Sequence, residues 1–203
     1  MSDCLVVGRP NVGKTTFVVN FAEYMGLENL KIHVKQPAGY TSIKNYAIED
    51  ARNILISDQP NFTKNIQIVK LEVPAGKIKK TLKLIDSCGL KNGIHSDPEI
   101  RKSMAKTLKK ITNTNLILHM IDIKNINNNH EDNILSSVDK MIFKYSKIDK
   151  SYALLINKID LIDSVPNTIT FIKNKLNFDL IFPVSSVNQK GFQKIKELVL
   201  KYV

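Results

Sequence analysis

Gly8-Arg9-Pro10-Asn11-Val12-Gly13-Lys14-Thr15 spells G-x-x-x-x-G-K-[ST], near the start of a chain of 203 residues. The apolar run Cys4–Val7 precedes it and the apolar stretch Thr16–Met25 follows. Strand, loop and helix in that order is the setting in which this motif holds phosphate. Successive backbone N–H groups and a helix N-terminus form a cradle for anions. Gly8, Arg9, Pro10, Asn11, Val12, Gly13, Lys14, Thr15 and Thr16 are therefore the expected phosphate-side contacts. Lys14 puts a compact charge on the outer phosphates, where it also serves catalysis, and the Thr15 hydroxyl is a candidate Mg²⁺ ligand.

The base is addressed further along. Asn157-Lys158-Ile159-Asp160 follows the apolar run Tyr152–Ile156. A carboxylate at Asp160 can accept two N–H bonds from guanine, whereas adenine has no matching donors and would leave it unpaired. Asn157 would steady the purine edge and the Lys158 stem would cover the base face. Asp86-Ser87-Cys88-Gly89 closes the apolar run Leu82–Ile85. Its Asp86 can hold Mg²⁺ through water, and its Gly89 N–H can meet a γ-phosphate. Ser185-Ser186, after Leu180–Val184, supplies a further loop within reach of the base. All four motifs fall at the C-terminal ends of expected strands, the edge where open α/β sheets bind ligands.

With these residues in place, the chain resembles a translation-factor-class GTPase, closest to the Era/TrmE/EngA group of bacterial G domains. The resemblance rests on Gly8–Thr15 in the spelling GRPNVGKT, on Asp86–Gly89, on Asn157–Asp160 and on Ser185–Ser186. It implies a P-loop NTPase G domain: an α/β fold with a mostly parallel six-stranded sheet and helices on both faces. It implies a molecular switch that hydrolyses GTP to GDP and phosphate with Mg²⁺. It also implies that Asn11 helps to hold a K⁺ ion acting in place of an arginine finger, which gives Asn11 a catalytic role. Leu90 follows D-x-x-G, where Ras-like proteins carry the Gln that orients water, so slow intrinsic turnover is expected. The family's usual D-T-P-G is here Asp-Ser-Cys-Gly; losing Pro frees that backbone and places a thiol near the γ-phosphate. Cys88 is open to two readings, an oxidant sensor or a small buried side chain.

Length and composition agree with one G domain over residues 1–203. Hydrophobic residues make up 43% of the chain, and no apolar stretch is long enough to cross a bilayer. The chain enters a strand at once, which leaves no room for a signal peptide. It ends at Val203 after an expected helix Gly191–Tyr202, so no appended RNA-reading module is expected. Two cysteines, Cys4 and Cys88, suit a reducing cytoplasm. The net charge of +11 comes almost wholly from Lys, the arginines being Arg9, Arg52 and Arg101. An AT-rich coding bias accounts for part of this, since Asn and Ile are abundant too. The functional counterpart is a polyanion such as ribosomal RNA or a ribosomal subunit.

Periodicity supplies the remaining elements. Leu30–Lys35 reads as extended. Pro37–Thr41 is a turn-rich entry to a first switch, elongated over about residues 37–80, through which a protein partner can bind. Thr41–Ser57 reads as a helix from Ile43, Ala47, Ala51 and Ile54-Leu55. Lys64–Val73 and Lys79–Ile85 read as a hairpin about Pro74–Lys77. Helices are expected at Pro98–Ile111, Glu131–Tyr145 and Val165–Leu176, a strand at Leu116–Ile121, and a polar loop at Asn125–Asn129. Thr41 is the expected switch hydroxyl on Mg²⁺, with Ser42 and Thr63 as rivals; His95, six residues past Gly89, is a candidate for positioning water. Two functions remain open: a GTPase timing the docking of an RNA–protein particle, or a slow GTP-loaded switch acting through a protein partner or its own copies.

Overall fold

A computed structural model describes residues 2–35, 40–56, 66–75, 78–126, 134–149 and 151–202. Eight strands form one sheet: β1 (Ser2–Gly8), β2 (Asn29–Lys35), β3 (Thr41–Ala47), β4 (Gln67–Ala75), β5 (Ile78–Asp86), β6 (Leu116–Asp122), β7 (Ser151–Asn157) and β8 (Ile181–Pro183). Six helices accompany them: α1 (Lys14–Tyr24), α2 (Ile48–Leu55), α3 (Pro98–Thr112), α4 (Ser137–Asp149), α5 (Val165–Leu176) and α6 (Phe192–Leu200). The strand order is β3-β2-β4-β5-β1-β6-β7-β8. From β5 to β8 all neighbours are parallel; β4, β2 and β3 extend the sheet antiparallel.

The parallel half dictates the layers. β6 is buried along its whole length and β7 from Tyr152 onward, as strands covered on both faces must be. One face packs Val6, Leu84 and Leu118 against Phe17 and Phe21 of α1, Ala51 of α2 and Phe192 of α6. The other packs Leu5, Ile117 and Leu154 against Ile111 of α3, Ile142 of α4 and Ile172 of α5. Phe17 stacks on Phe21, and both meet Phe192 edge to face, which fixes α1 against α6 under the phosphate loop.

The sheet has eight strands and not the expected six, because β2 and β3 lie outside β4. Thr41–Ser57 is not one helix: Thr41–Ala47 is the edge strand β3, and α2 begins at Ile48. Ile43, Ala47 and Ala51 are spaced four apart and imitate a helical stripe, yet Ile43 is half exposed and supports no core. An edge strand open on both faces carries no apolar alternation by which to recognise it. Helix α4 starts at Ser137, later than Glu131. The β4–β5 hairpin is present, with Ala75 opposite Ile78. Pro37–Gly39, Ser57–Thr63 and most of the Asn-rich loop lie outside the described residues.

Candidate functional site

Register brings the four motifs to one sheet edge. Val6 lies opposite Asp86, Gly8 opposite Met120, Asp122 opposite Asn157, and Ile156 opposite Pro183. The phosphate loop runs from the end of β1 into α1, with Asn11 exposed at its apex in a left-handed conformation, φ 60°. Arg9, Pro10 and Thr16 are half-buried, and Val12 is buried. Gly13 has φ 95°, and a methyl group on it would lie 2.3 Å from Asn157 Nδ2. Only glycine allows that approach.

Lys14 is buried, and its Nζ donates to the Arg9 carbonyl at 2.8 Å, across the mouth of the loop. Burial pulls its pKa down, against the pull of Asp86 and weaker neighbours. Thr15 Oγ1 donates to Asp86 Oδ2 at 2.7 Å. Burial pushes the Asp86 carboxyl up to about 6, opposed by the Thr15 hydrogen bond, the Lys14 charge and the Ser87 amide. Among the described residues, Asp86 Oδ1 is buried without a hydrogen-bond partner. An orphaned carboxylate oxygen beside a hydroxyl, next to a phosphate cradle, fits a hydrated Mg²⁺ ion.

The D-x-x-G turn is clamped onto this loop. Ser87 Oγ donates to the Val6 carbonyl at 2.8 Å, and Leu90 N–H to the Gly8 carbonyl at 3.1 Å. Leu90 is buried in the core on the α3 side, so its side chain does not face the phosphate edge. Cys88 is fully buried and burial raises its thiol pKa, which disfavours the reactive thiolate that an oxidant sensor needs. His95 Nδ1 accepts from the Asp97 amide at 3.0 Å and so supports the start of α3.

Asn157 joins the two ends of the site. Its Nδ2 donates to the Val12 carbonyl at 2.8 Å, and its Oδ1 accepts from both the amide and the hydroxyl of Ser186 at 2.9 Å. Lys158 stands at φ 65°, with its ammonium held by Asp122 Oδ2 at 2.7 Å and its stem half exposed. Asp160 sits exposed on the short 3-10 turn Ile159–Leu161. Ser185 closes its own loop by accepting from the Asn188 amide at 3.1 Å. Gly8 to Thr16, Asp86, Gly89, Asn157, Lys158, Asp160, Ser185 and Ser186 thus share one edge.

Thr41 stands apart. In register, Asp86 faces Gln67, Gln67 faces Val34 and Val34 faces Ser42, so the start of β3 lies three strands, about 14 Å, from Asp86. Thr63 is outside the described residues. Sequence reasoning missed Asn20, Glu23, Arg52 and Gln189, which form a polar network behind Ser186; the scarcity of arginine was the available signal. It also missed a buried relay in which His119 Nδ1 meets Tyr152 OH at 2.7 Å and Nε2 meets Asp139 Oδ1 at 3.0 Å.

Comparison with known proteins agrees with this fold. GTPase Der of Aquifex aeolicus is 28% identical over 98% of this chain and 36% of its own length. GTPase Obg of Buchnera aphidicola is 27% identical over the full chain and 52% of its own length. The chain therefore spans about a third to a half of these relatives. Among solved structures, Era of Aquifex aeolicus bound to GDP and AlF4⁻ superposes with a TM-score of 0.71 at 21% identity, over 99% of this chain and 56% of that one. Era in complex with MgGDPNP and a segment of 16S ribosomal RNA gives a TM-score of 0.66 at 22% identity, again over 99% and 56%. The family model described as 50S ribosome-binding GTPase matches residues 3–158, most of the chain, and the protein belongs to that family.

Proposed function

We propose that this protein binds GTP and hydrolyses it to GDP and phosphate as a molecular switch, with residues 1–203 acting as one G domain in the cytoplasm. The observation that carries this reading is Asn157, whose one carboxamide joins the phosphate loop to Ser186 beside the exposed Asp160. A purine held by Asp160 then has its phosphates led into the cradle of Gly8–Thr16. Lys14, released from the Arg9 carbonyl, neutralises charge on the outer phosphates as the γ-phosphoryl leaves. Thr15 and Asp86 would hold Mg²⁺, which would neutralise phosphate charge when bound. The Gly89 amide meets the γ-phosphate. Asn11, exposed at the loop apex, would add its side-chain oxygen to a K⁺ ion, and Thr41 is the switch hydroxyl that joins the site once β3 moves.

A ribosomal RNA partner is supported by one surface. Lys70 lies opposite Lys83, and the pairing of Ile32 with Val69 sets Lys31 beside Lys70. Lys31 and Lys70 make no ion pair among the described residues, and after burial they are what lowers the His33 pKa. Like charges directly opposite destabilise a sheet, and a phosphate backbone relieves that cost. The Era complex with 16S ribosomal RNA is in keeping with such a partner.

The test is calorimetry with GTP, GDP and ATP on the wild type and on Asp160→Asn. A guanine preference on the order of ten-thousand-fold, abolished by the substitution, is expected; equal binding of GTP and ATP sinks the reading. Buried Leu90 favours a second possibility, a slow switch that works through a protein partner. Turnover in Na⁺ and K⁺ buffers, with and without ribosomal subunits, separates the two. Stimulation supports the timed GTPase, and slow turnover throughout with GTP-dependent dimers supports the alternative.

A further inference from the structure

Arg52 fastens α2 to α1 with one guanidinium. Its Nε donates to Asn20 Oδ1 at 2.9 Å, Nη2 pairs with Glu23, and Nη1 pairs with Glu49 on its own helix at 2.5 Å. Both α1 partners are used again. Asn20 Nδ2 donates to the Ser186 carbonyl at 2.7 Å, and Glu23 Oε2 accepts from Gln189 Nε2 at 2.7 Å. Ser186 and Gln189 belong to the loop after β8, whose other anchor is Asn157. Two polar routes therefore run from α2 through Arg52 to two points of the loop that flanks the base motif. Neither route touches Lys14, Thr15 or Asp86.

The rest of α2 is lightly held. Ile48 and Ala51 are its buried residues, no side chain caps its N-terminus, and the strand before it is mostly exposed. Asn20 is 6% exposed, so removing Arg52 leaves its Oδ1 buried without that donor. Such a loss favours rearrangement of the carboxamide and with it of the Ser186 carbonyl. Lysine keeps the charge but lacks the planar fork that serves Asn20 and Glu23 from separate nitrogens.

We propose that α2 is a release lever for the nucleotide, with Arg52 as the positioning residue that couples it to the base-binding loop. Displacing α2 withdraws Arg52, frees Asn20 and Glu23, and loosens Ser185–Gln189. Nucleotide then leaves from its base end, diphosphate and triphosphate alike, because Lys14, Thr15 and Asp86, which hold the outer phosphates, are not on the route. The proposal rests on the guanine-nucleotide reading above and assigns that site a means of regulation.

The experiment is stopped-flow dissociation of fluorescent GDP and of a non-hydrolysable GTP analogue from the wild type, Arg52→Ala, Arg52→Lys, Asn20→Ala and the Asn20→Ala/Arg52→Ala double variant. Arg52→Ala should speed release of both nucleotides by about fivefold to tenfold. The double variant should be no faster than the faster single one, since the two residues lie on one route. Arg52→Lys should restore only part of the wild-type rate. The preference for GDP over inosine diphosphate should fall, while competition by inorganic pyrophosphate stays unchanged, a pattern that general loosening would not give. Glu49→Ala, off the route, should release nucleotide at the wild-type rate. Should Arg52→Ala fail to fold, Gln189→Ala on the half-buried arm must still speed release. Tight wild-type binding with unchanged release in the folded variants overturns this proposal alone, as do additive effects of Asn20 and Arg52. A wild type that retains no guanine nucleotide overturns the parent reading as well.

Discussion

Gly89 stands against Pro10 so closely that a methyl group on its Cα would lie 2.7 Å from the Pro10 nitrogen and 2.8 Å from its Cα. The D-x-x-G turn and the phosphate loop are thus fitted to each other, 79 residues apart, with backbone as the obstacle on the loop side. A Gly89→Ala substitution must push Pro10 away and pull on the Leu90 N–H bond to the Gly8 carbonyl. Overpacking of this kind costs about 1–3 kcal/mol; borne by the nucleotide-bound state, that strain lowers GDP affinity by roughly fivefold to 150-fold. Calorimetric titration with GDP measures it. Wild-type affinity in a folded Gly89→Ala protein would refute the fitted contact.

Asp86 makes the site sensitive to pH. Burial raises its pKa from 3.8 to about 6. The folded state thus keeps a proton that the unfolded state has lost between these values. Its contribution to stability is greatest below the unfolded value and is lost as pH rises through the folded one. Proton and Mg²⁺ compete for the same carboxylate, so the gain in nucleotide affinity from Mg²⁺ should shrink as pH falls below about 6. Asp86→Asn should show little Mg²⁺ gain at any pH. Titrations with Mg²⁺ and with EDTA across this range decide the matter; a Mg²⁺ gain that stays flat through pH 6 contradicts the assignment.

The local parts of this fold were legible and the distant ties were not. Helix α5 can be read from residue 165 to residue 176, because Pro166 suits its first turn and Asn177 ends it in a left-handed conformation. The β4–β5 turn announces itself through Pro74 and Gly76. The phosphate loop and Asn157–Asp160 are legible because their chemistry depends on fixed short spacings. Nothing in spacing says that Asn157 donates to Val12, 145 residues away, or that Arg52 reaches Asn20. β3 escaped for a different reason. Its side chains meet mostly water, so burial, the force that writes a period into a sequence, left no mark there.

Thr41 should be the place where GTP changes the fold. As the first residue of β3 it pairs with Lys35, too far from Asp86 for its hydroxyl to reach a shared ion. If it joins the site, the Thr41 end of β3 must give up its pairing with β2. Amide hydrogen exchange over Thr41–Ala47 should therefore differ between the GDP complex and the complex with a non-hydrolysable GTP analogue. Thr41→Ala should remove that difference, reduce hydrolysis and leave GDP affinity intact. Identical exchange in both complexes, with unchanged hydrolysis in the variant, shifts the role to Ser42 or Thr63.

His119 carries a structural load that its position in the apolar strand β6 conceals. It is fully buried, with Tyr152 OH on Nδ1 and Asp139 Oδ1 on Nε2. Ser136 Oγ donates to Asp139 Oδ2 at 2.6 Å and accepts from the Asp139 amide at 3.2 Å, which sets the first turn of α4. One imidazole therefore joins β6, β7 and α4 behind the nucleotide edge. Burial raises the Tyr152 pKa, so its hydroxyl keeps its proton and depends on a partner. His119→Leu fills much of the volume but leaves the Asp139 carboxylate and the Tyr152 hydroxyl without the imidazole. The stranded groups cost about 1–3 kcal/mol each, more for the charged one. Adding Asp139→Asn and Tyr152→Phe removes the stranded charge and the stranded hydroxyl and should recover part of the loss, because an uncompensated buried charge is the most costly part of a broken network. Urea unfolding of the single and triple variants measures the difference. A triple variant less stable than His119→Leu alone would show that packing, and not the stranded polar groups, sets the cost.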